Sequence, residues 1–151
     1  MRNLFNIFRK AQGGSVTIEF VVTFPLLLVA LGLSFEFGQL FLAHHDTVNN
    51  VREAARYLSR GDLSAAQLGV ADEIVRTGAS AGGTAPDWLA AADVTITPSY
   101  TTFTDTNFRV SGQVIRVRVD VDFPMTIFDF AVDGHTSIPF VVIDDIRHFG
   151  D

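Results

Sequence analysis

The stretch FVVTFPLLLVALGLSF, residues 20–35, contains no charged side chain and decides the architecture of the chain. Continued to Ala43, it gives 24 residues interrupted by one acid, Glu36. A helix of that length extends about 36 Å, whereas the hydrocarbon core of a bilayer is about 30 Å thick. The sequence therefore predicts one transmembrane helix over about 20–43, with a kink near Pro25, where a backbone hydrogen bond is lost.

Two other interpretations of this apolar stretch stay open. The first is a buried core helix of a soluble domain, and the second is a secretory signal that is removed after export. The residues after Gly32 read LSFEFGQLFLAHH and contain no good small-x-small cleavage site, which disfavours a cleaved signal. The transmembrane helix remains the preferred interpretation.

The charge of the chain is divided unevenly. Residues 1–14 carry +3 from Arg2, Arg9 and Lys10, whereas the other 137 residues carry −9 of the total of −6. Positive charge is retained on the cytoplasmic side of a membrane, so we expect a cytoplasmic leader and an exported C-terminal part. An acidic exported part lacks the basic face that nucleic-acid binding requires. The absence of cysteine excludes disulfides and thiol chemistry.

Two carboxylates accompany the predicted membrane span, Glu19 at its cytoplasmic edge and Glu36 two turns before its outer edge. A charged group at the centre of a bilayer costs roughly 2–3 kcal/mol on insertion scales, so such acids are functional candidates. Glu36 either reaches the outer interface or makes an intramembrane polar contact. The helix dipole favours a carboxylate such as Glu19 in a first turn, but this does not explain the Gly13-Gly14 pair before it.

The order of a basic leader, Gly14, the residues SVTIEF and a membrane helix resembles the processing site of type IV prepilins. The stretch EFGQLFLAHHDTVNNVREAARYLSRGD, residues 36–62, further resembles the TadE-like minor pseudopilins of the tight-adherence (Tad, or Flp) pilus. The sequences EFG at 36–38 and REAARY at 52–57 are the basis of that resemblance. It covers roughly residues 9–60.

The resemblance implies a function in the assembly of an adhesive pilus. A membrane-embedded prepilin peptidase would cut after Gly14, so that Ser15 becomes the new N-terminus and Glu19, followed by Phe20, the fifth mature residue. Glu19 would then pair with the N-terminal amine of a neighbouring subunit. The implied partners are the peptidase, other pilins or pseudopilins, the inner-membrane assembly platform and membrane lipid. The implied location is the bacterial inner membrane, single-pass, with later incorporation into a pilus as one outcome.

The residues after the span predict an α+β fold. The long helix is expected over 15–60, ended by Gly61, with Val51, Ala55 and Leu58 on its apolar face. The exported domain, 61–151, adds a second helix from about Leu63 to Thr77. Ser64 and Gln67 have the spacing of a capping box at its start.

An antiparallel sheet is predicted from alternating segments. The stretches are DVTIT at 93–97, VIRVRVDVDF at 114–123 and SIPFVVID at 137–144. The second has one apolar and one charged face, so its apolar face is expected to rest on the long helix. Pro139 indicates an edge strand. Trp88 is interpreted as a packing anchor, and residues 124–135 as an apolar loop or short helix, either tucked under the sheet or exposed as a docking patch.

No arrangement of residues indicates catalysis, a metal site or a cofactor. The adjacent pair His44 and His45 points in different directions on a helix, while His135 and His148 lie near turns. The aspartates of the C-terminal half do not follow a calcium-loop spacing and are interpreted as a solvated face. The alternative functions are an uncleaved, membrane-anchored periplasmic binding protein and a pseudopilin of a type II-like secretion system. An anchored enzyme would lack a candidate nucleophile and base.

Overall fold

The computed structural model describes residues 13–105, 110–132 and 137–149, with side chains for 16–98, 112–129 and 137–149. The leader, His135 and the side chain of Ser15 lie outside these ranges. In chain order the elements are α1 (Gly13–Ser59), α2 (Ala65–Thr77), α3 (Asp87–Ala90), β1 (Asp93–Asp105), β2 (Val110–Pro124), α4 (Thr126–Val132) and β3 (Ser137–Arg147). The predicted α+β class, with a long apolar helix, a second helix and an antiparallel sheet, is confirmed.

The chain divides into two compact units, Met1–Gly38 and Gln39–Asp151, called here the N-terminal and C-terminal units. Helix α1 begins at Gly13, two residues before the predicted start at residue 15, and continues through Pro25. A glycine in a helix costs only about 1 kcal/mol relative to alanine, and adding a residue to an existing helix costs far less than starting a new one. Gly13 and Gly14 are therefore part of the helix.

The predicted glycine cap of α1 is wrong. The helix ends at Ser59, and the Gly61 N–H donates to the carbonyl of Leu58 at 3.2 Å without a positive φ. The left-handed conformation falls instead on Leu63, whose φ is 55°. A leucine in this region is strained, but its side chain packs against the core and its N–H donates to Gln67 Oε1 at 3.3 Å. These contacts offset the strain.

Helix α2 begins at Ala65, two residues later than predicted, with Ser64 as its N-cap. The Ser64 hydroxyl accepts from the backbone N–H of Gln67 at 3.4 Å, as a capping box requires. In a standard capping box the Gln67 side chain would accept from the Ser64 N–H. Here Gln67 Oε1 accepts from the Leu63 N–H instead, and the Ser64 N–H donates to Asp62 Oδ1 at 3.0 Å. The chain therefore uses a modified capping box that also orders the loop after α1.

The three strands pair antiparallel in the order β1-β2-β3, so β2 is central. The predicted inward face of β2 is buried at Ile115, Val117, Val119, Val121 and Phe123. The prediction that Pro139 marks an edge strand is confirmed, because β3 pairs with β2 alone in the described sheet. In β2, the charged residues of the outer face alternate along the strand with these buried apolar residues.

The sheet is longer than the alternating segments indicated. Strand β1 continues past Pro98 to Asp105, with a register shift between Thr97 and Thr101. Proline predicts the end of a strand because it lacks an N–H, but an irregularity at an outer strand accommodates it. Residues 124–135, predicted to form an apolar loop or short helix, contain the short helix α4. The single helical turn α3, which contains Trp88, was not predicted.

The core of the C-terminal unit joins α1, α2, α3 and the sheet. Its members are buried apolar side chains: Val51, Ala54, Ala55, Leu58, Ala71, Ile74, Val75, Leu89, Ala92, Ile115, Val117, Val119, Val121 and Val142. The apolar face of β2 therefore shares a core with α1, as predicted. Trp88 packs at the edge of this core, with its ring 5.7 Å from that of Phe123. The adjacent Met125 is also buried, so the start of the 124–135 segment is tucked under the sheet.

Candidate assembly site on the long helix

The N-terminal unit presents an apolar helix surface on all sides. Its exposed large side chains are Val16, Ile18, Phe20, Val21, Val22, Phe24, Leu26, Leu27, Leu28, Val29, Leu31, Phe35 and Phe37. The helix is long and apolar enough to cross a membrane over Val16–Ser59, and no residue of its apolar window is buried. A surface of this kind needs lipid or other apolar helices around it. The finding suggests a membrane anchor.

Glu19 lies within this apolar surface. Its carboxylate is exposed between the exposed side chains of Ile18 and Phe20, and the ring of Phe20 stacks on Phe24 with centroids 5.3 Å apart. Ser15 precedes Glu19 by four residues, or about one helical turn. A carboxylate in apolar surroundings attracts a cation far more strongly than one in water. Glu19 is therefore able to bind a cation that approaches this end of the helix.

Glu36 differs from Glu19, because its side chain is only 2% exposed. Within the described residues, no buried side-chain nitrogen or oxygen lacks a hydrogen-bond partner. The two glutamates are 17 positions apart in the sequence, which is about 25 Å along a helix. They therefore form separate sites, and the polar contact assigned to Glu36 stays a prediction.

The REAARY segment has two faces. Ala54 and Ala55 are fully buried in the core, where their small side chains allow close packing, whereas Arg52, Glu53 and Arg56 are exposed. Arg56 lies 3.7 Å from Glu53 in a weak, exposed ion pair. Arg52, Glu53 and Arg56 therefore form a charged, solvated face.

The outer sheet face uses two of its aspartates in ion pairs. Arg116 binds Asp145 with two hydrogen bonds of 2.7 and 2.6 Å, and Arg118 binds Asp120 with two of 2.6 Å. The hydrogen bonds from the arginines lower the pKa of both carboxyl groups. The described residues contain no cluster of three or more His, Asp or Glu side chains that could hold a metal ion.

Two of the described histidines, His44 and His148, have structural contacts. The ring of His44 lies 5.2 Å from that of Phe140, edge to face. His148 Nε2 is 2.8 Å from the carbonyl of Gly61, which ties the end of the chain to the end of α1. Both contacts hold the C-terminal part of the chain against α1.

Two arginines with distinct positions were missed in the sequence. Arg60 lies four residues after Arg56, exposed in the turn that follows α1, and the four-residue repeat from Arg52 was a visible signal. Arg76 donates through one nitrogen to the carbonyls of Leu89, Ala90 and Ala92, at 3.2, 2.7 and 3.1 Å. No sequence spacing reveals that contact, because it depends on how the loop after α2 returns.

Comparison with known proteins gives one match. Residues 14–56 match the model of a family described as TadE-like protein. No curated protein and no solved structure matches the chain. The matched range begins at Gly14 and contains SVTIEF, EFG and all of REAARY except Tyr57. The predicted resemblance is confirmed over this range: residues 14–56 are similar to TadE-like proteins, and this likeness suggests involvement in Tad pilus systems.

Proposed function

We propose that this protein is a minor pseudopilin, processed after Gly14 by a prepilin peptidase, that acts in the assembly of an adhesive Tad pilus. The observation that supports this most directly is the start of the family match at Gly14, the residue before the proposed cut. The match then runs along a helix whose apolar side chains are exposed. Such a helix suits both the membrane and a fibre built from packed helices.

The proposed role of Glu19 is registration of the subunit. Cleavage would create an amine at Ser15, and a neighbouring subunit would present the same kind of amine to Glu19. Within an apolar helix surface, the ion pair would form only when the two subunits are aligned, because any other position leaves the carboxylate uncompensated. The exposure of Glu19 between Ile18 and Phe20 supports this role.

A minor rather than a major subunit is proposed because the C-terminal unit is a folded domain with its own core. The resemblance implies that major subunits of this pilus type are little more than the helix. A domain of this size suits the start or tip of a fibre, where it does not have to repeat along the axis. We propose an inner-membrane location with the C-terminal unit outside the cytoplasm, and a non-enzymatic role.

The test is the N-terminal sequence of the full chain from membranes of its native host, with and without the prepilin peptidase. We expect Ser15 as the first residue with the peptidase and Met1 without it. Gly14→Leu should keep Met1 in both strains, because a bulky side chain obstructs the bond that is cut. Met1 in both strains for the unaltered chain would favour an uncleaved, anchored binding protein.

Glu19→Ala separates processing from assembly. We expect normal cleavage at Ser15, but a loss of pili of roughly tenfold or more, since one buried ion pair is missing. Glu73→Ala, which changes a carboxylate on α2, should leave pili unchanged. Normal pili with Glu19→Ala would refute registration. Normal pili together with a defect in protein secretion would indicate a pseudopilin of a type II-like secretion system.

A further inference from the structure

A row of arginines runs along the exposed side of α1 at its C-terminal end. Arg52 and Arg56 are four residues apart, about 6 Å from one another on one side of the helix. Arg60 follows four residues later, in the turn directly after the helix ends at Ser59. All three are exposed. We call these three residues the arginine row. They stand out because the chain outside its leader carries −9.

The positive charge of the arginine row is largely uncompensated. Within the described residues, its one ion pair joins Arg56 to Glu53 at 3.7 Å, between side chains that are 71% and 62% exposed. Pairs of this kind contribute little. By contrast, Arg76, Arg116 and Arg118 elsewhere in the C-terminal unit each have a carboxylate within 3 Å. The arginine row is thus free to bind another anion.

Grooves lie on both sides of the arginine row. One, of about 490 Å³, is lined by Arg56, Arg60, Tyr57, Glu53, Gly61 and Gln67. The other, of about 240 Å³, is lined by Arg52 together with exposed Val141 and Ile143 of β3. The combined surface offers three guanidinium groups, a phenol and branched apolar side chains, and it also includes the carboxylates of Glu53 and Asp144. This mixture fits an amphipathic protein segment better than a free phosphate, which would gain nothing from the apolar part.

We propose that the arginine row is a docking site for an acidic helix of another pilus protein, with carboxylates on every fourth residue. Such a helix repeats its carboxylates at the spacing at which α1 repeats its arginines. Guanidinium groups bind carboxylates with paired hydrogen bonds, and Tyr57 adds a donor and an apolar ring. The proposal rests on the proposed function, because it supplies the partner contact that assembly requires.

Anionic lipid is the competing occupant, and helix geometry disfavours it. If the span ends at Ala43, then Arg52 lies about 13 Å beyond it along α1. The headgroup region of a leaflet is only about 5–8 Å deep. Measured along α1, the start of the arginine row is therefore farther from the end of the span than the headgroup region is deep, which favours a protein partner over lipid.

The test places a benzophenone amino acid at Tyr57 of the full chain in its native host. After illumination, crosslinked peptides are identified by mass spectrometry, and the same sample gives the N-terminal residue. We expect a crosslink to an acidic, helical peptide of another protein. The double change Arg56→Glu and Arg60→Glu should reduce its yield by roughly tenfold, whereas Arg56→Lys and Arg60→Lys should retain most of it. Benzophenone at Thr95, on the outer sheet face, is the control position.

The outcomes separate this inference from the proposed function. A crosslink that charge reversal removes, and that a matching Glu→Lys change in the partner restores, supports the docking site. Ser15 at the N-terminus with crosslinks to lipid alone, or with none, overturns the docking site and leaves the pseudopilin proposal intact. Met1 at the N-terminus refutes the pseudopilin proposal. In that case a crosslinked acidic helix would no longer be evidence for a pilus contact, and the inference falls with it.

Discussion

The two parts of helix α1 have the same secondary structure and opposite surfaces. Up to Gly38, leucine, valine and phenylalanine side chains are exposed around the whole helix. Phe41 and Leu42 are still exposed, but from Asp46 onward one side of the helix contributes buried residues such as Val51 and Leu58 to the core of the C-terminal unit, and mainly polar residues occupy the other. Helix formation alone therefore does not indicate whether a helix is surrounded by lipid or lies between a protein core and water, whereas the distribution of its apolar side chains does.

The largest expected difference between the two parts is the cost of truncating a leucine. Leu58 is fully buried, so Leu58→Ala should lower the free energy of unfolding of the C-terminal unit by about 2–5 kcal/mol. Leu27 is 58% exposed, so Leu27→Ala should change it by less than about 0.5 kcal/mol. The measurement is urea unfolding of the full chain in detergent micelles. Trp88 is the one tryptophan, and it reports on this unit because its ring lies against Phe123.

Equal losses for Leu58→Ala and Leu27→Ala would contradict the comparison, because they would mean that both parts of α1 are packed in one core.

Membrane insertion gives a second test of the difference between the two parts of α1. Leu27→Asp should impair insertion, since a charge at bilayer depth costs roughly 2.5–3.5 kcal/mol on insertion scales. The matched Glu73→Asp, on α2, should have no effect on insertion.

The next effect concerns the loop that α2 holds in place. Arg76 donates to Asp72 and to three backbone carbonyls around α3, so Arg76→Met removes one donor from each of these carbonyls, although the Leu89 carbonyl still accepts from the Ala92 N–H at 3.2 Å. We expect a loss of about 1–3 kcal/mol in the free energy of unfolding. Arg60→Met, at an exposed position in the turn after α1, is the control and should be near neutral. No loss with Arg76→Met would mean that water replaces the guanidinium at these carbonyls.

A smaller difference separates two serines. Ser64 caps α2 through a long bond of 3.4 Å to Gln67, so Ser64→Ala should cost about 0.5–1 kcal/mol. Ser34 donates to the carbonyl of Ala30 inside α1, a bond that leaves the helical ladder intact. Ser34→Ala should therefore leave the unfolding of the C-terminal unit unchanged. A similar loss in both variants would show that the cap contributes nothing specific.

The spacing of apolar residues predicted most of the fold, because an element with one buried face must repeat its apolar residues at its own helical or strand period. The alternation of β2 and the apolar side of α1 were visible, since each has one face in the core and one in water. What the sequence did not reveal depends on contacts between distant segments. Strand β1 passes Pro98 because β2 pairs with it on both sides of the irregularity, and Leu63 takes a left-handed conformation because Gln67 and the core hold it.

The candidate site was predictable to different degrees. Gly14, Glu19 and REAARY could be identified because their spacing along one helix is a property of the sequence itself. The burial of Glu36 could not, because the same position in an apolar segment permits either an exposed or a buried carboxylate. The grooves beside the arginine row could not be predicted either, since they require the end of α1, the start of α2 and the edge of β3 to be placed in space.

The smallest effect is a pH dependence on the outer sheet face. The hydrogen bonds from Arg116 lower the pKa of Asp145 below its ordinary value of 3.8. Stabilisation from this pair is therefore present above pH 3.8 and is lost as pH falls through the lower pKa of the folded state. Asp145→Asn should cost about 0.2–1 kcal/mol at neutral pH, because the pair is partly exposed. Toward about pH 2 the variant and the unaltered chain should become equally stable.

Urea unfolding of both chains across this acidic range, followed by Trp88 fluorescence, tests the pH dependence. Asp122→Asn on the same face, where no arginine pair is formed in the described structure, is the control and should leave the difference between neutral and acidic pH unchanged. A constant loss for Asp145→Asn at every pH would mean that the side chain acts through packing rather than charge. Convergence at acidic pH would instead show that a partly exposed ion pair across two strands stabilises the C-terminal unit.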